Sequence, residues 1–126
     1  MIAVHLPSGY FGFVVKVIAV TNCLSVRGGG IPPAILYLYE LLSRKGVEIV
    51  LAGVDHPDRA PGAKVVIYQT LGPKSFGFSP DLLNILDREH PDLVHLHGLW
   101  TYGSIAVQIW NRRTGNPVVI SPHGMH

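Results

Sequence analysis

Short apolar, β-branched runs alternate along this sequence with longer segments of helical periodicity. Strands are predicted for five runs, at residues 14–20, 47–52, 64–70, 92–96 and 118–121. Helices are predicted for residues 32–44, for a segment that opens with Ser79 as N-cap and Pro80 in the first position, and for residues 104–113. This alternation is typical of an α/β fold with a doubly wound, mainly parallel sheet, most simply in the strand order 3-2-1-4-5.

The helical periodicity also predicts which residues of the first two helices face the core. The faces predicted to turn inward are Ile31, Ile35, Leu38 and Leu42 in the first helix, and Leu82, Leu83 and Leu86 in the second. Residues 53–63, between the second and third strands, are polar, contain Pro and Gly, and lack a helical pattern. Because parallel strands usually need a helical crossover, an antiparallel pairing of these two strands stays open.

Composition narrows the class of protein. A chain of 126 residues, 48% hydrophobic and 14% charged, is long enough for one domain with a buried core and too apolar to be disordered. A net charge of +2 from scattered basic residues gives no nucleic-acid-binding face. The single cysteine, Cys23, excludes an internal disulfide framework and suits a reducing compartment. No apolar run reaches the ~18 residues of a membrane helix, and the irregular residues 1–13 are interpreted as an N-terminal extension or loosely attached arm.

Glycine and histidine cluster after the first, fourth and fifth predicted strands. In a doubly wound sheet, ligands bind outside the carboxyl ends of the strands where the strand order reverses, here between the first and fourth strands. Residues 22–30, 95–100 and 121–126 are therefore expected to converge on one crevice. The glycines at 28–30 fit either a backbone cradle for an anion or a flexible turn. Asp55, after the second strand, is a candidate for the acid that binds a ribose in dinucleotide sites.

The histidines of this crevice admit several interpretations. His95 and His97 lie on the same side of a strand because side chains alternate. With His123 as a third ligand they would suit a metal-dependent hydrolase. Alternatively, His95 lies deeper in the strand and has a hydrogen-bonded structural role. His97 and His123, each followed by glycine, then either meet a polar ligand or are satisfied loop histidines.

Three blocks of sequence resemble the amino-terminal half of the family 4 retaining glycosyltransferases. They are Gly-Gly-Gly-Ile-Pro-Pro at 28–33, Pro-Asp-Leu-Val-His-Leu-His-Gly-Leu-Trp at 91–100 and Val-Val-Ile-Ser-Pro-His-Gly-Met at 118–125. The last two blocks together are rather specific, whereas the glycine block alone is weak. The resemblance runs over residues 16–126. It implies that residues 14–126 are a partial N-terminal, Rossmann-like domain on the acceptor side of a two-domain GT-B enzyme, whose second domain binds the nucleotide-sugar.

The resemblance also implies roles for individual residues. Catalytic roles fall on His123, which would lie at the donor sugar, and on His97, which would line the cleft after the fourth strand. The residues implied in substrate and donor binding are Gly28, Gly29, Gly30, Gly98, Trp100 and Gly124. Arg27 is a further candidate for an anion contact, and Trp100 and Tyr102 fit either stacking on an acceptor sugar or packing. The resemblance implies no metal and no cofactor.

The implied reaction moves a sugar from a nucleotide-sugar to a saccharide or lipid-linked acceptor with retention at the anomeric carbon, in polysaccharide biosynthesis. Because the sequence stops two residues after Gly124, the rest of the first domain and the donor domain are expected to be absent. The 126-residue chain alone is therefore predicted to be inactive and to self-associate. The alternative classes are a non-catalytic α/β ligand-binding module and the His-based metal-dependent hydrolase. The expected location is the cytoplasm, or peripherally the inner membrane face.

Overall fold

The computed structural model describes residues 14–25, 31–59, 62–73, 78–98 and 102–121. Within them the chain alternates strands with helices. In chain order the elements are β1 (Lys16–Val20), α1 (Pro33–Arg44), β2 (Glu48–Gly53), β3 (Ala63–Ile67), α2 (Leu82–Glu89), β4 (Leu93–His97), α3 (Tyr102–Thr114) and β5 (Val118–Ser121).

The strands form one sheet in the order β3-β2-β1-β4-β5, and every neighbouring pair is parallel. The predicted α/β class and strand order are confirmed. The antiparallel alternative for β2 and β3 is wrong, since Ile49 pairs with Ala63 and Gly53 with Ile67 in parallel register. The connection contains no helix in its described residues, 54–59 and 62. Its nine residues, 54–62, reach up to ~30 Å when extended, which is ample to return along a five-residue strand.

The central strands β1, β2 and β4 are buried on both faces, which explains why they are almost continuously apolar. Helix α1 covers one face, over a cluster that includes Val17, Ala19 and Leu51. Helices α2 and α3 pack on each other and on the opposite face, over a cluster that includes Ile18 and Trp110. The alternation of side chains therefore sends odd-numbered residues of β1 toward α1 and even-numbered ones toward α2 and α3.

The helix boundaries show where local sequence signals were misleading. Ser79 is not the N-cap of α2: the helix begins at Leu82, Asp81 occupies the N-cap position, and the Ser79 side chain is fully buried. The carbonyl of Ser79, rather than its hydroxyl, accepts the hydrogen bond from the Leu82 N–H at 3.4 Å. A turn over residues 79–82 thus precedes the helix. Leu82 and Leu86 are buried as predicted, and Leu83 is partly buried.

Strand β5 forms one edge of the described sheet and carries exposed apolar residues. Val119 and Ile120 are each nearly half exposed. Unpaired strand edges with apolar side chains promote association between chains. The self-association predicted from the sequence has this edge as its candidate surface, and it stays a prediction.

Candidate functional site

The carboxyl ends of the parallel strands meet at one edge of the sheet, and β1 and β4 lie side by side at its centre. From β1 the chain continues toward β2, and from β4 it continues toward β5 on the other side. This is the position at which doubly wound sheets bind their ligands. At this edge His97 pairs with Ser121 in the register of β4 and β5.

His95 and His97 lie next to each other on the face of the sheet that α1 covers. Their ring centroids are 4.1 Å apart and the ring planes are tilted by 34°. Both side chains are buried. The sequence prediction that the two rings share one face is confirmed.

A single hydroxyl group joins the two imidazoles. The Tyr39 hydroxyl oxygen, on α1, lies 2.6 Å from Nδ1 of His95 and 2.6 Å from Nε2 of His97. The tyrosine ring meets both imidazoles edge-on, at 88° to each. Burial raises the pKa of Tyr39 far above its ordinary value, so its hydroxyl keeps its proton at any working pH.

Ser121 extends this cluster to β5. Its Oγ lies 2.7 Å from Nε2 of His95, and its carbonyl accepts a hydrogen bond from the Gly98 N–H at 2.9 Å. A continuous chain of short polar contacts therefore runs from Ser121 through His95 and Tyr39 to His97. We call these four residues the carboxyl-edge cluster.

The contacts of the carboxyl-edge cluster test two interpretations of the histidines, a hydrogen-bonded structural role and a metal site. The hydrogen-bonded role expected of His95 is confirmed, because both of its ring nitrogens have partners. Nε2 of His97 also faces Tyr39, so a metal bound at that nitrogen or at either ring nitrogen of His95 would have to displace a protein contact. Among the described residues, no group of three or more His, Cys, Asp or Glu side chains is arranged to hold a metal ion.

Gly98 follows the cluster with a backbone that favours glycine. Its φ is +90°, a value that side-chain-bearing residues rarely adopt, although a Cβ there would meet no atom within 4 Å. The glycine is therefore required by backbone conformation rather than by crowding. Its predicted contact with substrate stays a prediction.

Asp55 has a different role from the one expected. Its carboxylate accepts hydrogen bonds from the Leu24 N–H at 2.5 Å, the Ser25 N–H at 3.3 Å and the Ser25 hydroxyl at 2.5 Å. Burial acts to raise the pKa of Asp55, but the hydrogen bonds from Ser25 and Leu24 outweigh it and lower the pKa. Asp55 thus holds the segment after β1, and its oxygens are occupied by protein donors instead of facing a ribose.

Replacing Asp55 by asparagine is expected to lower the free energy of unfolding by about 1 kcal/mol at neutral pH. The amide keeps one acceptor oxygen for the backbone N–H groups of Leu24 and Ser25 but loses the negative charge that strengthens these hydrogen bonds, and its NH2 group cannot accept from the Ser25 hydroxyl. The folded-state pKa of Asp55 lies below the unfolded value of about 3.9. The stabilisation is therefore complete above that value and is lost as the pH falls through the folded pKa. Urea unfolding of wild type and variant at descending pH should show the difference shrinking. Asp81→Asn, at the exposed N-cap position of α2, is the control, and an equal effect in both variants would contradict this role.

A cleft of about 610 Å³ opens beside the ends of β1, β2 and β3. Residues 68–70, predicted to continue β3, instead leave the strand after Ile67 and line this cleft. The whole lining consists of Asn22, Cys23, Val54, Ile67, Tyr68, Gln69 and Thr70. The Tyr68 hydroxyl donates to the Thr21 carbonyl at 2.7 Å, and burial, followed by the charge of Asp55, raises the pKa of the Cys23 thiol. The cleft is therefore lined by neutral amide, hydroxyl and apolar groups.

Several predicted site residues fall beyond the structural description. Those outside the described residues are Arg27, Gly28, Gly29, Gly30, Trp100, His123 and Gly124. Tyr102 is described and packs edge-on against Phe78, with ring centroids 4.9 Å apart, as in the packing alternative.

Sequence reasoning missed Tyr39 and Ser121. Tyr39 is buried on the inner face of α1, four residues after Ile35 and three before Leu42. That spacing places it on the predicted inward stripe, so a buried tyrosine in need of a hydrogen-bond partner was a usable signal. Ser121 had no such signal, because its contact with His95 depends on the register of β4 and β5.

A comparison with protein-family models gives the relationship directly. The model described as a glycosyl transferase 4-like domain matches residues 29–126, most of the chain. The chain belongs to this family. For this glycosyl transferase 4-like domain, the predicted resemblance and the Rossmann-like α/β fold are confirmed, and with them substrates of the general sugar-donor and acceptor kind. Comparisons of the domain with curated proteins and with solved structures found no significant match. None of its described helices is long and apolar enough to cross a membrane.

Proposed function

We propose that this chain is part of the acceptor-side domain of a glycosyltransferase that moves a sugar from a nucleotide-sugar to a saccharide or lipid-linked acceptor with retention. The observation that carries the proposal is the carboxyl-edge cluster. In a glycosyl transferase 4-like domain, it holds His97 and Gly98 at the strand-order reversal between β1 and β4. The glycines at 28–30, the donor-sugar histidine His123 and Gly124 complete the proposed site on the donor side.

The acceptor is proposed to bind in the cleft lined by Asn22, Gln69 and Thr70. Amide and hydroxyl side chains offer the paired donors and acceptors that sugar hydroxyls require, and the exposed Ile67 supplies apolar surface for a sugar face. The described lining contains no Lys or Arg. The cations that neutralise the departing diphosphate would therefore come from other parts of the protein, where such charge stabilisation supplies much of the rate.

The side chains available bear on the route by which the proposed retention would occur. A double-displacement reaction needs a carboxylate nucleophile paired with a second carboxyl group. The carboxylate of Asp55, which follows the cleft residue Val54, is occupied by the donors of Leu24 and Ser25. Retention is therefore proposed to proceed by attack on the face from which the diphosphate departs, with the diphosphate accepting the proton of the acceptor hydroxyl.

The test is a transfer assay on the full gene product with a panel of nucleotide-sugars and acceptors, with the anomeric configuration of the product read by NMR. The proposal expects retention. Gln69→Ala is expected to raise the KM for the acceptor roughly tenfold, the loss of about one hydrogen bond, and to leave the KM for the donor unchanged. Gln108→Ala, exposed on α3 and away from this cleft, is the matched control.

Four outcomes would overturn all or part of the proposal. An inverted product would contradict the proposed mechanism. Equal effects of Gln69→Ala on the KM for the donor and the KM for the acceptor would contradict the proposed acceptor cleft. Stoichiometric zinc together with hydrolysis but no transfer would favour the metal-dependent hydrolase. Ligand binding without turnover would favour the non-catalytic module.

A further inference from the structure

The number of protons available limits which hydrogen bonds the carboxyl-edge cluster can form at one time. The Tyr39 hydroxyl contacts Nδ1 of His95 and Nε2 of His97 at the same distance, 2.6 Å, but it has one proton to donate. It therefore donates to one imidazole and accepts an N–H from the other. The elevated pKa of Tyr39 removes the third possibility, a tyrosinate that accepts from both rings.

Each of the two arrangements fixes both neutral rings. When Tyr39 donates to His95, Nδ1 of His95 is unprotonated and its proton sits on Nε2, while His97 must present Nε2–H to the tyrosine oxygen. When Tyr39 donates to His97, the proton of His97 sits on Nδ1, and His95 must present Nδ1–H. In the first arrangement both rings are Nε2–H tautomers, and in the second both are Nδ1–H tautomers.

Ser121 lies at the end of the same chain. Its hydroxyl, 2.7 Å from Nε2 of His95, accepts the N–H in the first arrangement and donates its own proton in the second. A serine hydroxyl can rotate to donate or to accept. The Ser121 hydroxyl therefore either adapts to the tautomers of the two rings or, when its orientation is fixed, determines them. Whether the Ser121 hydroxyl, on β5, donates or accepts is therefore tied to which nitrogen of His97, on β4, carries the proton.

We infer that Tyr39 is a positioning residue that locks His95 and His97 into matching tautomers and so couples the Ser121 hydroxyl to His97. In the Nε2–H state the other nitrogen of His97, Nδ1, is a hydrogen-bond acceptor, and in the Nδ1–H state it is a donor. A polar group that engages the Ser121 hydroxyl would therefore change the hydrogen-bonding character of His97 without touching it. The coupling stands on the cluster geometry, whereas its effect on sugar transfer rests on the proposed function.

Mismatched tautomers are expected to be scarce. With two N–H groups facing Tyr39, the hydroxyl proton would be buried with neither ring to accept it. With two unprotonated nitrogens, one ring would face the tyrosine oxygen lone pair to lone pair at 2.6 Å. Because an unsatisfied buried polar group is costly, we expect mismatched pairs in fewer than about one molecule in ten.

The deciding measurement is the tautomeric state of each histidine in the 126-residue chain, by long-range nitrogen–proton correlation NMR at about pH 8, where imidazoles are ordinarily neutral. The expected result is the same tautomer ratio for His95 and His97. In Tyr39→Phe the two ratios should become independent, whereas Tyr37→Phe, exposed on the same helix, should leave them matched. Ser121→Ala should shift both rings together or neither. Opposite tautomers in wild type, or a shift of one ring alone in Ser121→Ala, would overturn the proposal.

A kinetic arm tests positioning in the full gene product. Tyr39→Phe is expected to lower kcat several-fold with the acceptor KM unchanged, and Tyr37→Phe to change neither. An unchanged kcat in Tyr39→Phe, with the tautomers uncoupled, would overturn the positioning role. If wild type transfers no sugar at all, the proposed function fails, and the tautomer measurement still decides the coupling.

Discussion

Replacing Glu89 by glutamine is expected to lower the free energy of unfolding by about 2 kcal/mol at neutral pH. Glu89 ends α2 at the amino edge of the sheet, and only 4% of its side chain is exposed. Its two carboxylate oxygens lie 2.9 Å from Nζ of Lys16 and 2.9 Å from Nζ of Lys64. One buried carboxylate therefore ties α2 to the beginning of both β1 and β3.

The size of this effect follows from the burial of the partners. Removing one member of a fully buried ion pair costs about 3–5 kcal/mol, because the remaining charge stays desolvated. Here the lysine side chains are 19% and 58% exposed, so water partly solvates the ammonium groups once the carboxylate is gone. The expected cost is correspondingly smaller than for a fully buried pair.

The dependence on pH has a definite sign. Burial acts to raise the pKa of Glu89, but the hydrogen bonds and charges of Lys16 and Lys64 outweigh it and lower the pKa. The stabilisation is therefore fully present above the unfolded value of about 4.3 and is lost as the pH falls through the folded value. Wild type should lose stability over that range, and the variant, which has no carboxyl at this position, should lose less.

Urea unfolding measures both expectations, with Glu48→Gln as the matched control. Glu48 begins β2 at the same edge of the sheet, and it is exposed. The same chemical change there should alter the free energy of unfolding by less than about 0.5 kcal/mol. Equal destabilisation by the two substitutions would mean that the two lysines add nothing specific at Glu89.

The sheet was predictable from the sequence because its signals are local. Each strand is a short apolar run that periodicity detects, and chain order with right-handed crossovers then favours 3-2-1-4-5. The pairing of β2 with β3 was left open because the sequence of the connection has no helical pattern. The pairing is parallel, and the nine residues 54–62 are long enough for that return. The N-cap predicted at Ser79 was wrong. A serine followed by a proline gives the same sequence signal when the serine lies three residues before a helix as when it caps the helix.

The candidate site was only partly predictable, for a physical reason. Side chains alternate along a strand, which places His95 and His97 on the same face of the sheet. In the predicted strand order the reversal lies between β1 and β4, which places both histidines near β1. What those rings contact depends on side chains far away in sequence: Tyr39 on α1 and Ser121 on β5. The ion pairs of Glu89 are non-local in the same way, since Lys16 and Lys64 come from two different strands.

Replacing His123 by alanine in the full gene product is expected to lower kcat by about 10²-fold or more, the loss typical of one group that stabilises a transition state. His123 lies two residues after Ser121 in sequence, in the Pro-His-Gly block that the proposed function places at the donor sugar. Charge develops at the anomeric carbon and the departing diphosphate only in the transition state. A lost contact there should therefore reduce kcat and kcat/KM together and leave the KM for the donor nearly unchanged.

Steady-state transfer kinetics decide this prediction, with His56→Ala as the control. His56 is an exposed histidine after the end of β2, at the same edge of the sheet but outside the carboxyl-edge cluster, and its loss should leave kcat unchanged. Added zinc should neither restore the His123 variant nor stimulate wild type, because the proposed role is a contact with the donor sugar rather than metal ligation. Near-normal turnover of the variant would mean that His123 is a satisfied loop histidine. The chemistry would then depend on groups other than the Pro-His-Gly block.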